Sequence, residues 1–476
     1  MTKIHNIARN TSYLTLALIL QKIISFTYFI ILTRAIGLEM MGQYYAALSF
    51  TTIFAIFIDL GFANTLTREV AKHQEQAESW MGNVVSLKIP LAVLTLILAI
   101  GTAIFFGYSS LSFQLIMISS VCMILDSFTT TFFSAVRGFH NLKFESISSV
   151  IYQLIVLVLG YLALRYGLGV RTAMAVLAIA SIYNFIYSLI VVRYRLNLKW
   201  KLLYQKDFIR NIFVISWPFA LFAIFQRLYL YLDSVMIGAL ANYHEVGVYQ
   251  IAFKIIFALQ FLPMAFTASL YPAMSSYWID NREQLVSSFE RAINYLIIIS
   301  LPIIGGVIAL DDKIVDLFKA GDEALWPLRI SILALFFIFV NFPIGSLLNA
   351  CDRQRRNLSF MIAVTIISVS ANFLLIPKYG AIGASITVLG TNAIMFILGM
   401  IETKRIIAYS PRKNLVTLGK SLWAAAVMGT IVYYGKNYLP IIVATTLGGL
   451  LYFIFLYLVG GFKKQDIISV YSSFKR

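Results

Sequence analysis

Apolar runs of about 20 residues follow one another along this chain, about fourteen in all, with short polar breaks between them. That is the length an α-helix needs to cross ~30 Å of hydrocarbon. In lipid every backbone N–H and C=O must find its partner inside the protein, so only helices or closed barrels can span it. Barrel strands would be about 10 residues long and would alternate; these runs are longer and do not. The pattern predicts an all-α integral membrane protein. Composition agrees, since 60% of the 476 residues are apolar and only 12% are charged, where a soluble domain carries roughly 25% charged residues.

The runs fall into three groups. Six lie at 11–33, 41–63, 84–106, 111–135, 147–164 and 172–192. Six more lie at 211–237, 243–269, 292–310, 325–349, 358–376 and 381–402, and a final pair at 417–434 and 439–460. This predicts an N-terminal six-helix bundle over 1–192 and a second six-helix bundle over 211–403. A terminal helix pair and a basic-ended tail occupy 404–476. The linker at 193–210 mixes Arg195, Lys199, Trp200 and Lys201 with Leu202, Leu203 and Tyr204. Such a mixture suits an amphipathic helix lying on an anionic cytoplasmic surface. The stretch 66–80 reads the same way.

Alternating the runs across the membrane puts most of the 38 lysines and arginines on one side. The other side receives only Arg34, Arg165, Arg171, Lys313, Lys319, Arg329, Lys378 and Lys436. The basic side is cytoplasmic by the positive-inside rule, which places both termini there. The net charge of +17 is thereby a matter of topology and does not imply nucleic acid. Cys122 and Cys351 form no disulfide framework or metal spacing, and His5, His73, His140 and His244 fall in tails or loops. The first run reads as a retained anchor, not a cleaved signal.

Two positions in the runs break the apolar pattern in the same way. Gln21-Lys22 returns as Gln226-Arg227, 205 positions on. Gly42-Gln43-Tyr44 returns as Gly247-Val248-Tyr249, and Asn6-Ile7 as Asn211-Ile212, at the same offset. Tyr166-Gly167 returns as Tyr379-Gly380 at an offset of 213. An even number of spans in the first half makes the repeat parallel, about an axis along the membrane normal. A charge at bilayer depth is costly and faces a bundle interior or a water-filled cavity. Matched cations in both halves therefore predict a shared polar centre for an anionic ligand.

Further motifs carry a family likeness. They are Ile7-Ala8-Arg9-Asn10 before the first run, Leu32-Thr33-Arg34-Ala35-Ile36-Gly37 after it, and Asp59-Leu60-Gly61-Phe62 followed by Thr67-Arg68-Glu69. Ile314-Val315-Asp316-Leu317-Phe318 and Leu348-Asn349-Ala350 with Arg353-Gln354-Arg355 complete the set. In this order, over nearly the whole chain, they resemble polysaccharide-biosynthesis flippases of the Wzx type, in the multidrug/oligosaccharidyl-lipid/polysaccharide (MOP) exporter superfamily. The resemblance implies two six-helix bundles in a V that open alternately to each side. It implies a cargo of undecaprenyl- or other polyprenyl-diphosphate-linked sugar moved to the outer leaflet of the cell membrane. It also implies a polysaccharide polymerase and chain-length proteins as partners, with no cofactor. Lipid II flippases carry more than one cation on the first span, whereas Lys22 stands alone in this one.

The candidate substrate contacts are Lys22, Arg227 and Lys254 for phosphate, with Gln21, Gln226 and Gln260 for sugar hydroxyls. Arginine suits bidentate contact with phosphate and lysine acts as a point charge. Asp126 and Asp233 are candidates for a coupling proton or sodium ion. Asp59, beside Gly61, reads first as a helix-end acid and then as a third candidate. Lys88, placed near the start of its run, is expected to snorkel to the surface. Pro218, Pro263, Pro302 and Pro343 are expected to bend their helices. Tyr28, Tyr44, Tyr45, Tyr229, Tyr231 and Tyr249 are available to stack on sugar rings. A small-cation exporter of the same superfamily and a lipid II flippase are the alternatives in transport. A membrane transferase is disfavoured, because the acidic loop 311–323 has no histidine or metal spacing beside its carboxylates.

Overall fold

The computed structural model describes the backbone of residues 2–199 and 201–461, and their side chains apart from those of 2–12, 14, 218 and 219. The basic tail from 462, Trp200 and the ring of Pro218 lie outside the described residues. Among the described residues there are fifteen α-helices and no strand.

The chain forms two compact units. The first holds α1 (Thr2–Asp59), α2 (Phe62–Lys72), α3 (Ala77–Phe105), α4 (Ser110–Gly138), α5 (Lys143–Arg165), α6 (Gly169–Ile190), α7 (Lys206–Leu240) and the start of α8 (Tyr243–Leu259). The second holds the rest of α8, then α9 (Phe261–Asp280), α10 (Arg282–Ala309), α11 (Asp311–Phe318), α12 (Leu325–Ala350), α13 (Gln354–Ile406), α14 (Arg412–Gly435) and α15 (Ile441–Leu458). One short piece of α13, Asn372–Gly380, belongs to the first unit.

Twelve stretches among the described residues are long and apolar enough to cross a membrane, which makes this a multi-pass membrane protein. The two longest have length enough for two crossings each. Thr15–Asp59 has 45 residues, roughly 68 Å of helix at 1.5 Å per residue, more than twice the hydrocarbon thickness. It bends at Gly37 (φ 76°, ψ 173°), and the 53-residue α13 bends at Gly380 (φ 52°, ψ −127°). Both conformations are natural only to glycine. Each bend splits one stretch into two crossings, which recovers the predicted runs on either side of 34–40 and 377–380.

The repeat has a physical counterpart inside the first unit. A Cβ on Gly42 would lie 1.7 Å from the carbonyl oxygen of Tyr243, and a Cβ on Gly247 would lie 2.1 Å from that of Leu38. Tyr243 and Leu38 are themselves 205 apart. The contact is reciprocal: each glycine of the repeated motif meets the other copy's helix start, backbone against backbone. Small residues are what let membrane helices approach this closely.

Two surface expectations change. Residues 196–199 and 201–205 are not a helix on a membrane surface. They run along the start of α3 as a strap. Glu78 accepts from the Lys199 amide at 2.7 Å, and Asn83 exchanges two hydrogen bonds with Gln205. Gly82 leaves room for the strap, since a Cβ there would lie 2.6 Å from the Lys201 carbonyl. The side chains of α3 thus take backbone groups that a helix would have used. In 66–80, α2 turns Phe62, Leu66 and Val70 inward to a core shared with Trp80, Met81, Phe132 and Ile212, and leaves Arg68 and Lys72 outside on either side of Glu69. Of the expected proline sites, Pro302 and Pro343 lie inside α10 and α12. Pro263 sits in the first turn of α9, where its missing N–H costs nothing.

Candidate functional site

A cavity of about 300 Å³ opens among the helices of the first unit. Its walls come from α1 after the Gly37 bend (Leu48, Thr51, Thr52, Ala55, Asp59), from α4 (Ser119, Cys122, Met123, Asp126, Ser127, Thr130) and from α7 (Arg227, Tyr231). Three of the ionisable residues singled out from sequence, Asp59, Asp126 and Arg227, meet in it. The Arg227 guanidinium donates to the Thr52 carbonyl at 3.2 Å. Among the described residues no ion pair joins Arg227 to either acid.

Lys88 does not snorkel. It is fully buried, pairs with Asp59, and donates to the carbonyl and hydroxyl of Ser127 at 3.1 and 3.2 Å. The reason is the length of α3, which begins at Ala77 rather than 84 and carries Lys88 three turns into the protein. An ammonium has three protons, and these three acceptors match them. A buried lysine with no partner would be very costly, so the Asp59 pair is what makes this position tolerable.

The other predicted contacts lie elsewhere. Gln21 donates to Ser149 on α5 at 2.6 Å, so its amide is engaged within the protein. Lys22 is half-buried and is not among the residues that line the cavity. Gln226 is exposed, and Lys254 and Gln260 belong to the second unit, half-buried. Asp233 forms a separate buried site. It accepts from the Tyr249 hydroxyl at 2.9 Å and from the Asn372 amide at 2.6 Å, and is only 4% exposed. The carbonyl oxygen of that same Asn372 amide is buried and has no hydrogen-bond partner among the described residues. Sequence reading missed Asn372 and placed Lys88 at the surface. Neither sits in a motif, and their partners lie 139 and 29 positions away.

A family model described as "Polysaccharide biosynthesis protein" matches residues 7–278, and one described as MatE matches 218–374. An uncharacterized membrane protein of Methanocaldococcus jannaschii is 24% identical over 75% of this chain and 76% of its own length. A probable low-salt glycan biosynthesis flippase, Agl15 of Haloferax volcanii, is 20% identical over 83% of this chain and 82% of its own. Among solved structures, the lipid II flippase MurJ in an inward closed conformation superposes with a TM-score of 0.77 at 15% identity, covering 96% of this chain and 99% of that one; this likeness speaks to fold. The chain belongs to the polysaccharide biosynthesis protein family, within the MOP superfamily of multi-pass membrane transporters.

Proposed function

We propose that this protein is a flippase that carries a polyprenyl-diphosphate-linked oligosaccharide from the cytoplasmic to the outer leaflet by alternating access, for surface polysaccharide synthesis. It acts as a transporter and catalyses no covalent chemistry. The observation that carries the reading is Arg227, a cation at mid-helix in an apolar protein of this family, facing a polar cavity. Lys22 and Lys254 are proposed as further contacts on the route, with Gln21 and Gln226 beside the matched cations. Asp233, Asp126 and Asp59 are proposed to serve ion coupling, Asp233 first because a buried amide oxygen stands unpartnered on the residue next to it. The bias of basic residues supports cytoplasmic termini in the cell membrane. Cysteines at Asn281 and Asp322 would then be labelled from opposite sides, and labelling from one side would reject that orientation.

The acids in the cavity favour one rival, an exporter of small organic cations, which needs buried negative charge. Reconstituted vesicles separate the two. On the flippase reading, wild type exposes a polyprenyl-diphosphate sugar to a sugar-modifying enzyme outside the vesicle, and Arg227→Gln slows this about tenfold, the loss of one charge-assisted hydrogen bond. Transport of a lipophilic cation with no movement of the lipid-linked sugar would reject the flippase reading.

A further inference from the structure

The charges around the cavity balance. Asp59 and Asp126 are its two acids, Arg227 is the base on its wall, and Lys88 stands behind Asp59. All three Lys88 protons have acceptors in the protein, so Lys88 neutralises Asp59 without offering a donor to a ligand. Two acids and two bases sum to zero. A diphosphate entering here would bring further negative charge toward two carboxylates, with one guanidinium to receive it. The groups that face the space instead mix donor and acceptor. Arg227 donates. Asp126 accepts, and among the described residues no ion pair joins it to Arg227. The Thr51 and Thr130 hydroxyls give their protons to their own helix, to Ala47 and Asp126 carbonyls at 3.1 and 2.8 Å, so they present lone pairs. The Tyr231 ring adds an apolar surface.

An uncharged polyol ring matches this lining. Its neighbouring hydroxyls donate to a carboxylate and accept from a guanidinium, and its C–H face packs on an aromatic ring. The volume, about 300 Å³, is at the small end of ligand pockets, which run from ~300 to 1,000 Å³. It suits one sugar residue and not an oligosaccharide with its lipid. Resting on the flippase reading, we propose that this cavity is a subsite for one uncharged sugar ring of the lipid-linked glycan, with Asp126 as acceptor and Arg227 as donor, and that the diphosphate is held outside it.

The test uses full-length protein in lipid nanodiscs and two kinds of probe: bare polyprenyl diphosphate, and the same lipid bearing one glucose, galactose or N-acetylglucosamine. Wild type should bind at least one of the sugar-bearing lipids about tenfold more tightly than the bare lipid. Asp126→Asn should remove most of that gain while changing bare-lipid binding less than twofold. If Asp126→Asn does not fold, Tyr231→Leu takes its place and should likewise lose the gain alone. Tighter binding of both lipids by Asp126→Asn would overturn the proposal, because the acid would then be repelling phosphate. So would Arg227→Gln weakening the bare lipid as much as the sugar-bearing one. Equal binding of all probes by wild type overturns the sugar subsite and leaves the flippase reading standing. Binding of none, by protein with a normal melting transition, overturns the flippase reading and the subsite with it.

Discussion

The two copies of the repeat keep one contact identical and reverse another. At Gly42 and Gly247 each copy presses a glycine onto the other's backbone, through carbonyls that are themselves equivalent. At another pair of repeat positions the copies part. Tyr28 and Asp233 are 205 apart, as are Tyr44 and Tyr249, and Gly160 and Asn372 are 212 apart, close to the offset of the Tyr-Gly motif. In the first copy the space is filled by packing: Tyr28 lies so close to Gly160 that a Cβ there would come within 2.3 Å of its ring. In the second it is filled by hydrogen bonds, with Asp233 held by Tyr249 and Asn372. Backbone contact leaves no choice of side chain, so it survives duplication. A space filled by side chains can exchange an aromatic ring and a glycine for a carboxylate and an amide, and so acquire chemistry in one copy only.

The largest effect should come from the shared contact. Gly42→Ala and Gly247→Ala each put a Cβ against a backbone carbonyl that no rotamer change can clear, so the two helix starts must separate. Overpacking of this kind typically costs 1–3 kcal/mol, and about 3 kcal/mol is expected at both sites because the obstacle is backbone. Thermal unfolding in detergent, with abundance in the membrane, measures it. A large loss at one glycine and tolerance at the other would break the reciprocity.

A second test converts one copy into the other. Asp233→Tyr alone should collide with Asn372 and strand the Tyr249 hydroxyl, a loss of about 1–3 kcal/mol. Adding Asn372→Gly recreates the Tyr28–Gly160 arrangement and should recover about 1 kcal/mol or more, as expected for residues in direct contact. The double variant should also lose the response of melting temperature to sodium that an ion site at Asp233 requires, which wild type should show against choline. Failure of the glycine to rescue would mean that the two places are not equivalent. A double variant that still responds to sodium would place the ion elsewhere.

Much of this was legible from the residues. Run length marked the crossings, because lipid fixes how long a helix must be, and the breaks at 34–40 and 377–380 fall where Gly37 and Gly380 bend their helices. The 205-residue offset picked out Gly42 and Gly247 without showing that they touch. The site was less legible. Lys88 reads as a surface lysine because residues 77–83 include Glu78, Ser79 and Asn83, too polar to count as buried helix, although α3 begins there. Arg227, Asp126 and Asp59 were each visible, but their meeting depends on how α1, α4 and α7 pack. Lys22 and Arg227 share a repeat position, yet only Arg227 lines the cavity. Equal position in a repeat does not fix equal surroundings once the neighbouring side chains have diverged.

The smallest effect expected sharpens the contrast from outside the membrane-spanning helices. Asp312, on α11, accepts from Lys436 at 2.7 Å and from the Lys313 amide at 2.8 Å. Partial burial pushes its carboxyl up, but the Lys436 ammonium and the backbone amides outweigh this and hold it below the usual carboxylate range. Its stabilising contribution is therefore present above the ordinary aspartate value of about 3.9 and is lost as pH falls through the lower folded value. The side chain is 45% exposed, so solvent screening limits the contribution to a few tenths of a kcal/mol. Asp312→Asn should thus melt within about 1 °C of wild type at pH 7, with the gap closing as pH falls below about 4. It should transport normally and keep whatever ion response wild type has, because Lys436, cleared of this partner, still sits 4.2 Å over the Tyr433 ring. Melting curves from pH 7 to pH 3, read beside transport in vesicles, check this. An Asp312→Asn protein that folds but loses transport or ion response would show that an acid outside the spanning helices belongs to the coupling site. Asp233, Asp126 and Asp59 would then not account for that chemistry by themselves.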